Sequence, residues 1–139
     1  MSINYGPAFR ANGTIAPCRA VVLDTTGDFL VVQAVAGSIS IGIAQEGMKG
    51  PPGFLGSDTT IAAQQGDPIQ VIGPGNVALA ETGALVTRGD RLEADANGRL
   101  ITSSGVGSGQ HNVVAFALAS SSGLGVKIPV LVQPHQITL

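Results

Sequence analysis

The chain has 139 residues, enough for one domain with a modest core and cramped for two. Hydrophobic residues reach 44% and the net charge is only −2, which excludes charge-driven disorder; no basic excess exists to neutralise phosphates, which argues against nucleic acid as a partner. Charged residues make up only 12%, against roughly 25% in average globular proteins, so part of the surface is expected to be covered by partners; the plainer reading is a Gly-rich β-domain that is simply short of charge.

Residues 2 to 14, with Tyr5, Pro7, Phe9, Asn12 and Gly13, carry no periodicity of either kind and read as an irregular N-terminal arm on a single β-domain of residues 15 to 139. From Ala16 to Val35 a β-branched run broken at Asp24 suggests a hairpin, followed by a strand near Ser38 to Ala44. Gly-Pro-Pro-Gly within residues 47 to 56 requires a loop, and Thr59 to Gln65 suits a strand or a single helical turn. Ile69 to Ile72 and Val77 to Ala80 read as a further hairpin around Gly73-Pro-Gly75. Leu85 to Thr102 is the clearest hairpin: Asp95 can accept backbone N–H groups, while Asn97 and Gly98 tolerate the positive φ of a tight turn. Ser103 to Gly109 reads as a flexible loop, and strands at Val113 to Leu118 and Val126 to Val132 finish the sheet. Pro129 cannot donate to a ladder, which places it at an edge or bulge. No sustained 3.6-residue apolar period exists, so helix should be scarce. There is no visible signal peptide or membrane span. Cys18 is the lone cysteine, which rules out an intrachain disulfide and suits a reducing compartment.

The two Asp-turn hairpins belong to a longer echo. Asp24 and Gly27 match Asp95 and Gly98; Ile41-Gly-Ile-Ala44 matches Val114-Ala-Phe-Ala117; Gly66-Asp-Pro-Ile-Gln-Val71 matches Gly125-Val-Lys-Ile-Pro-Val130. The chain therefore reads as two diverged copies of one β-unit.

Catalysis needs convergent groups, and few are on offer. His111 and His135 fit solvated loop positions better than a metal cluster, and Cys18 lies far from both in sequence. Gly105-Val-Gly-Ser-Gly109 lacks the following helix that a phosphate loop requires. Arg88-Gly-Asp90 spells an adhesion tripeptide but is accounted for by turn chemistry before a strand. Gly89-Asp-Arg-Leu92 is similar to a dUTPase motif whose companion motifs are missing here. Phe29 and Phe116 read as core residues. No catalytic residue, cofactor or metal site is expected.

The blocks Gly66 to Val71, Gly89 to Leu100 and Ala115 to Val132 resemble the small capsid cement, or head-decoration, proteins of tailed bacteriophages, over about residues 60 to 132. The last block departs from that family in carrying Gly125-Val126 where Gly-Glu is common. The resemblance implies an all-β, barrel or β-clip-like domain that forms homotrimers and binds the major capsid protein on the outside of a head assembled in the host cytoplasm, with no enzymatic activity or small-molecule substrate. Apolar and aromatic residues in the arm then make Ile3, Asn4, Tyr5, Pro7, Phe9 and Arg10 the candidate capsid contacts. The competing reading is a virion-surface adhesive or carbohydrate-binding β-module, which would need a concave site lined by aromatics; the five aromatic residues are scattered in sequence.

Overall fold

Short apolar runs, each stopped by Gly, Asp or Pro, become strands because none is long enough or periodic enough to sustain a helix. The computed structural model describes residues 9–45 and 63–139. The strands are β1 (Phe9–Ala11), β2 (Ala20–Leu23), β3 (Leu30–Gln33), β4 (Gly42–Ala44), β5 (Pro68–Ile69), β6 (Val71–Ile72), β7 (Val77–Glu81), β8 (Arg91–Ala94), β9 (Leu100–Thr102), β10 (Gln110–Ala117) and β11 (Lys127–Thr138). A single 3-10 turn at Ser103–Gly105 is the only helical element among the described residues. The fold is all-β and barrel-like, as the sequence implies.

Two sheets form, in the orders β5-β1-β3-β2-β4-β6 and β7-β11-β10-β8-β9. Each curls back on itself. In the first, Gln70 alone separates β5 from β6, so both ends of the order are one run of chain. In the second, a parallel bridge between Thr82 and Leu100 returns the end of β7 to β9.

The two barrels are the same unit twice. β1 runs parallel to β3 through Ala11 and Val31, as Thr82 does to Leu100. The antiparallel neighbours β3-β2-β4-β6 correspond to β9-β8-β10-β11, and the pairing of β5 with β1 corresponds to that of β11 with β7. Single hydrogen bonds fix the register. Cys18 N–H donates to Ala44 and Ala44 N–H to Arg19; Gly89 N–H donates to Ala117 and Ala117 N–H to Asp90. The duplication read from sparse motifs is thus carried by the whole backbone.

One detail of that register differs from the sequence match. Asp24 N–H donates to Leu30 across a turn two residues longer than the one in which Asp95 N–H donates to Arg99. Gly98 has φ +76°, and the residue at the same place in the first unit is Phe29, at φ +59°, rather than Gly27. Cys18 (φ +61°) and Gly89 (φ +89°) form a second such pair. The first unit keeps the left-handed corners but fills them with side chains, a strained choice that surrounding bonds must hold. Both Asp residues behave as expected: Asp95 Oδ1 accepts from Asn97 N–H (2.8 Å) and Arg99 N–H (3.0 Å), and Asp24 Oδ1 from Thr26 N–H (3.0 Å).

Several sequence expectations are corrected. Phe9–Ala11 is a strand between β3 and β5 with Ala11 buried, so this part of the supposed arm belongs to the first barrel. Residues 1–8 and 46–62, including the whole of the Gly-Pro loop at 47 to 56 and most of Thr59 to Gln65, lie outside the described residues. Ile69 to Ile72 and Val77 to Ala80 do not pair: β6 joins β4 and β7 joins β11, because the Gly73-Pro-Gly75 turn carries the chain from one barrel to the other. Pro129 sits in β11, between β7 and β10, rather than at an edge. It is tolerated because its carbonyl still accepts from Leu118 N–H, one residue past the end of the β10 ladder at Ala117, so the missing N–H forfeits only a reciprocal bond to Leu118 at the strand's end. Pro134 lies with Gln133 in the β11 bulge, between the pairs Val113–His135 and Ala115–Val132.

Candidate interaction surfaces

The core divides along the duplication. Ala11, Ile15, Val21, Val31, Ala44 and Val71 fill the first barrel. A larger cluster fills the second and continues into Ala20, Ala34 and Ile43, which point out of the first barrel toward the second. The alternation of β2 explains this: Val21 faces its own barrel while Ala20 and Val22 face the neighbour. The outer face of the first barrel therefore closes the hairpin end, or mouth, of the second.

Polar groups clasp that seam. Glu81 at the second mouth takes Arg19 from the first barrel at 3.0 Å and Arg99 from its own at 2.5 Å. The Asn97 carbonyl accepts from Arg19 (2.7 Å) and Gln33 (2.8 Å), and Ala20 N–H donates to the Gly98 carbonyl. Burial raises the Glu81 carboxyl pKa, but the Arg99 bond and the charges of Arg19 and Arg99 outweigh it and hold the group below the ordinary carboxylate range.

Among the described residues, two apolar surfaces stand open on the barrels. At the mouth of the first barrel a groove is lined by Phe9, Leu23 and residues 24 to 29; Leu23 and Phe29 are 54% and 52% exposed. Asp24 in its wall is bonded by the Asn12 amide and Thr26 N–H, in that order of weight, which lowers its pKa. On the outside of the second barrel, cross-strand pairs put Val77, Leu131, Phe116 and Arg91 in one row, with Leu79, Pro129 and Leu118 beside them. Val77, Leu79 and Leu118 are exposed; Phe116 stacks on His135 at 5.3 Å and lies 5.8 Å from the Arg91 guanidinium. A contiguous apolar face of this kind marks an interaction surface.

Of the sequence-derived contact candidates, Ile3, Asn4, Tyr5 and Pro7 lie outside the described residues. Phe9 and Arg10 sit on β1 at the first mouth, Phe9 half-buried and Arg10 exposed. Neither Phe29 nor Phe116 packs in the core, against expectation: Phe29 is placed in the open by its longer turn, and Phe116 is half-buried on the outer face by the outward phase of β10. The outer face was missed because Val77, Phe116 and Leu131 are far apart in sequence, although the alternation of β7 and β11 was a usable signal.

His111 is not a solvated loop residue. It lies on β10, buried, with Nδ1 2.7 Å from the buried Glu93 carboxylate and Nε2 2.9 Å from the Gly107 carbonyl. With both nitrogens engaged, the pair acts as a structural tie holding the 103–109 connection onto β8. Ser103 Oγ is buried without a hydrogen-bond partner, but no contact with His111 makes it a nucleophile. Among the described residues no group of three His, Cys, Asp or Glu side chains could hold a metal, and no helix is long and apolar enough to cross a membrane. Arg88-Gly-Asp90 is a turn: Asp90 Oδ2 accepts from Thr87 N–H at 2.9 Å, as Asp67 Oδ2 does from Gln64 N–H at 2.9 Å before β5. The Gly-rich 105–109 segment leads into a strand.

No family model matches the chain, and no curated protein matches it. Among solved structures, the chain is similar to the N base of the head fiber protein gp8.5 of bacteriophage phi29, over 91% of this chain and 91% of that one, with a TM-score of 0.59 and 14% identity. At that identity the likeness carries the all-β double-barrel fold and nothing finer.

Proposed function

We propose that this chain is a structural protein of a tailed-phage head, acting as a decoration protein that binds the major capsid protein on the outer surface and stabilises the shell across capsomer boundaries as a homotrimer. The observation that carries the reading is the near full-length likeness to a head-fiber base, joined to a surface with apolar faces in place of a catalytic constellation. Mechanical binding needs no nucleophile, base or cofactor. A ligand that binds only the assembled shell stabilises it by mass action. Ile3, Asn4, Tyr5 and Pro7 are the proposed capsid contacts; Phe9 and Arg10, which follow them at the first mouth, serve the capsid only where the contact between copies proposed below leaves them free.

The test is to mix the purified protein with undecorated capsids and follow binding and shell survival under heat or low osmolarity. Saturable binding with better survival is expected; equal survival of bare and decorated shells removes the cement reading. Deleting residues 2–8 should weaken binding at least tenfold, about 1.4 kcal/mol.

One feature favours a second reading. The groove at Phe9 and Phe29 is concave and holds two of the five aromatic residues, as a carbohydrate-binding module would require. Against it, the Asp24 carboxylate in the wall is already engaged by Asn12 and Thr26. Glycan binding that disappears in Phe29→Ala would favour the adhesive module over the decoration protein.

A further inference from the structure

The contact between the two barrels has a counterpart on each side that no other described residue covers. Inside the chain, the mouth of the second barrel, marked by Ala80, Glu81, Ala94 and Gly98, rests on the outer face of the first, marked by Arg19, Ala20, Ile43 and Ile72. Through the shared register, the same mouth positions of the first barrel are Phe9, Arg10, Leu23 and Phe29. The same face positions of the second barrel are Asp90, Arg91, Phe116 and Leu131. Among the described residues neither set is buried by another part of the chain: Arg10, Leu23, Phe29 and Arg91 are exposed, and Phe9, Asp90, Phe116 and Leu131 half-buried.

The charges make this more than a formal likeness. Within the chain an acid on the mouth, Glu81, meets a base on the face, Arg19. At the uncovered counterparts the signs are exchanged: Arg10 occupies the position of Glu81, and Asp90 that of Arg19. Asp90 Oδ2 accepts from Thr87 N–H and the Thr102 hydroxyl, and Arg91 stands beside it on the face as Asp28 stands in the wall of the mouth; each surface thus carries one acid and one base, and a mouth with Arg10 and Asp28 can meet a face with Asp90 and Arg91, among apolar side chains on both.

We propose that copies of this chain associate head to tail, the mouth of the first barrel in one copy seating on the outer face of the second barrel in the next. Arg10 then pairs with Asp90, and Phe9, Leu23 and Phe29 cover Phe116 and Leu131. The association repeats between chains the arrangement that the duplication makes within one. A heterologous contact of this kind gives a ring if its rotation closes and a filament if it does not; three copies would make a ring of six barrels. The inference deepens the trimer part of the proposed function and relies on that reading only for the number three.

The test uses two variants built from exposed residues. The mouth variant is Arg10→Glu with Phe29→Asp, Asp being tolerant of the left-handed φ at that corner. The face variant is Val77→Asp with Leu118→Asp, which flank Phe116 and Leu131 while sparing the Asp90 turn. Circular dichroism checks that both fold, and sedimentation gives their mass. The expected result is that the wild type assembles, each variant alone is monomeric, and an equimolar mixture gives one-to-one dimers, since one intact mouth and one intact face remain. Folded variants that still form trimers, or monomeric variants that do not pair on mixing, would overturn the head-to-tail contact and leave the trimer standing. A wild type monomeric at every concentration sinks both, and an open filament keeps the contact while removing the trimer.

Discussion

Gly98→Ala tests the seam between the barrels most directly. Gly98 has φ +76°, and a Cβ there would lie 2.9 Å from Gln33 Cγ, 3.3 Å from the Ala20 carbonyl oxygen and 3.4 Å from that of Ala34. The left-handed backbone alone costs an L-residue about 1–2 kcal/mol. Gln33 cannot swing aside freely, because its Oε1 accepts from Ala16 N–H (2.9 Å) and its Nε2 donates to Asn97 (2.8 Å). Losing both of those bonds adds about 0.5–1.5 kcal/mol each, for a total of roughly 2–5 kcal/mol. Gly75→Ala is the control: φ is +83°, but nothing lies within 4 Å of the added Cβ, so only backbone strain applies. Chemical denaturation at fixed protein concentration should place Gly98→Ala about 1–2 kcal/mol or more below Gly75→Ala. At roughly 3–4 °C per kcal/mol for a chain of this size, Gly98→Ala should melt about 6–20 °C below wild type. Equal losses in the two variants would refute the claim that the Gly98 turn is pressed against the first barrel.

Three further outcomes follow from particular contacts. His111→Ala strands the buried Glu93 carboxylate and should cost about 3–5 kcal/mol by denaturant melt, with Glu93→Gln recovering part of the loss in the double variant. Glu81 has a folded-state pKa below its unfolded one, so its stabilisation is present above the ordinary carboxylate range and is lost as pH falls through the depressed folded value. Melting temperatures of Glu81→Gln should therefore converge on wild type in acid; a constant gap from pH 7 to pH 2 would contradict the clasp. Deleting residues 2–14 removes β1 from between β3 and β5 and should unfold the first barrel, whereas deleting 2–8 spares β1 and should leave the barrel's melt in place; an unaltered melt for the longer deletion would show that β1 is dispensable.

The sequence determined the class and the duplication. Turn chemistry at Asp24, Asp95 and Gly98 acts over a few residues, and the strand runs between Gly and Pro breakers are too short for anything but β-structure. Local grammar could not decide which strands pair. Ile69 to Ile72 and Val77 to Ala80 look like a hairpin, yet they serve different barrels, and Phe9–Ala11 looks like a tail until a slot between β3 and β5 receives it. The same limit hid the sites. A buried His111–Glu93 tie, a left-handed Phe29 in the place of Gly98, and an apolar face assembled from β7, β10 and β11 all depend on which residues the register sets opposite one another. Register is set by the burial of one face against a partner barrel, and sequence spacing carries no record of that partner.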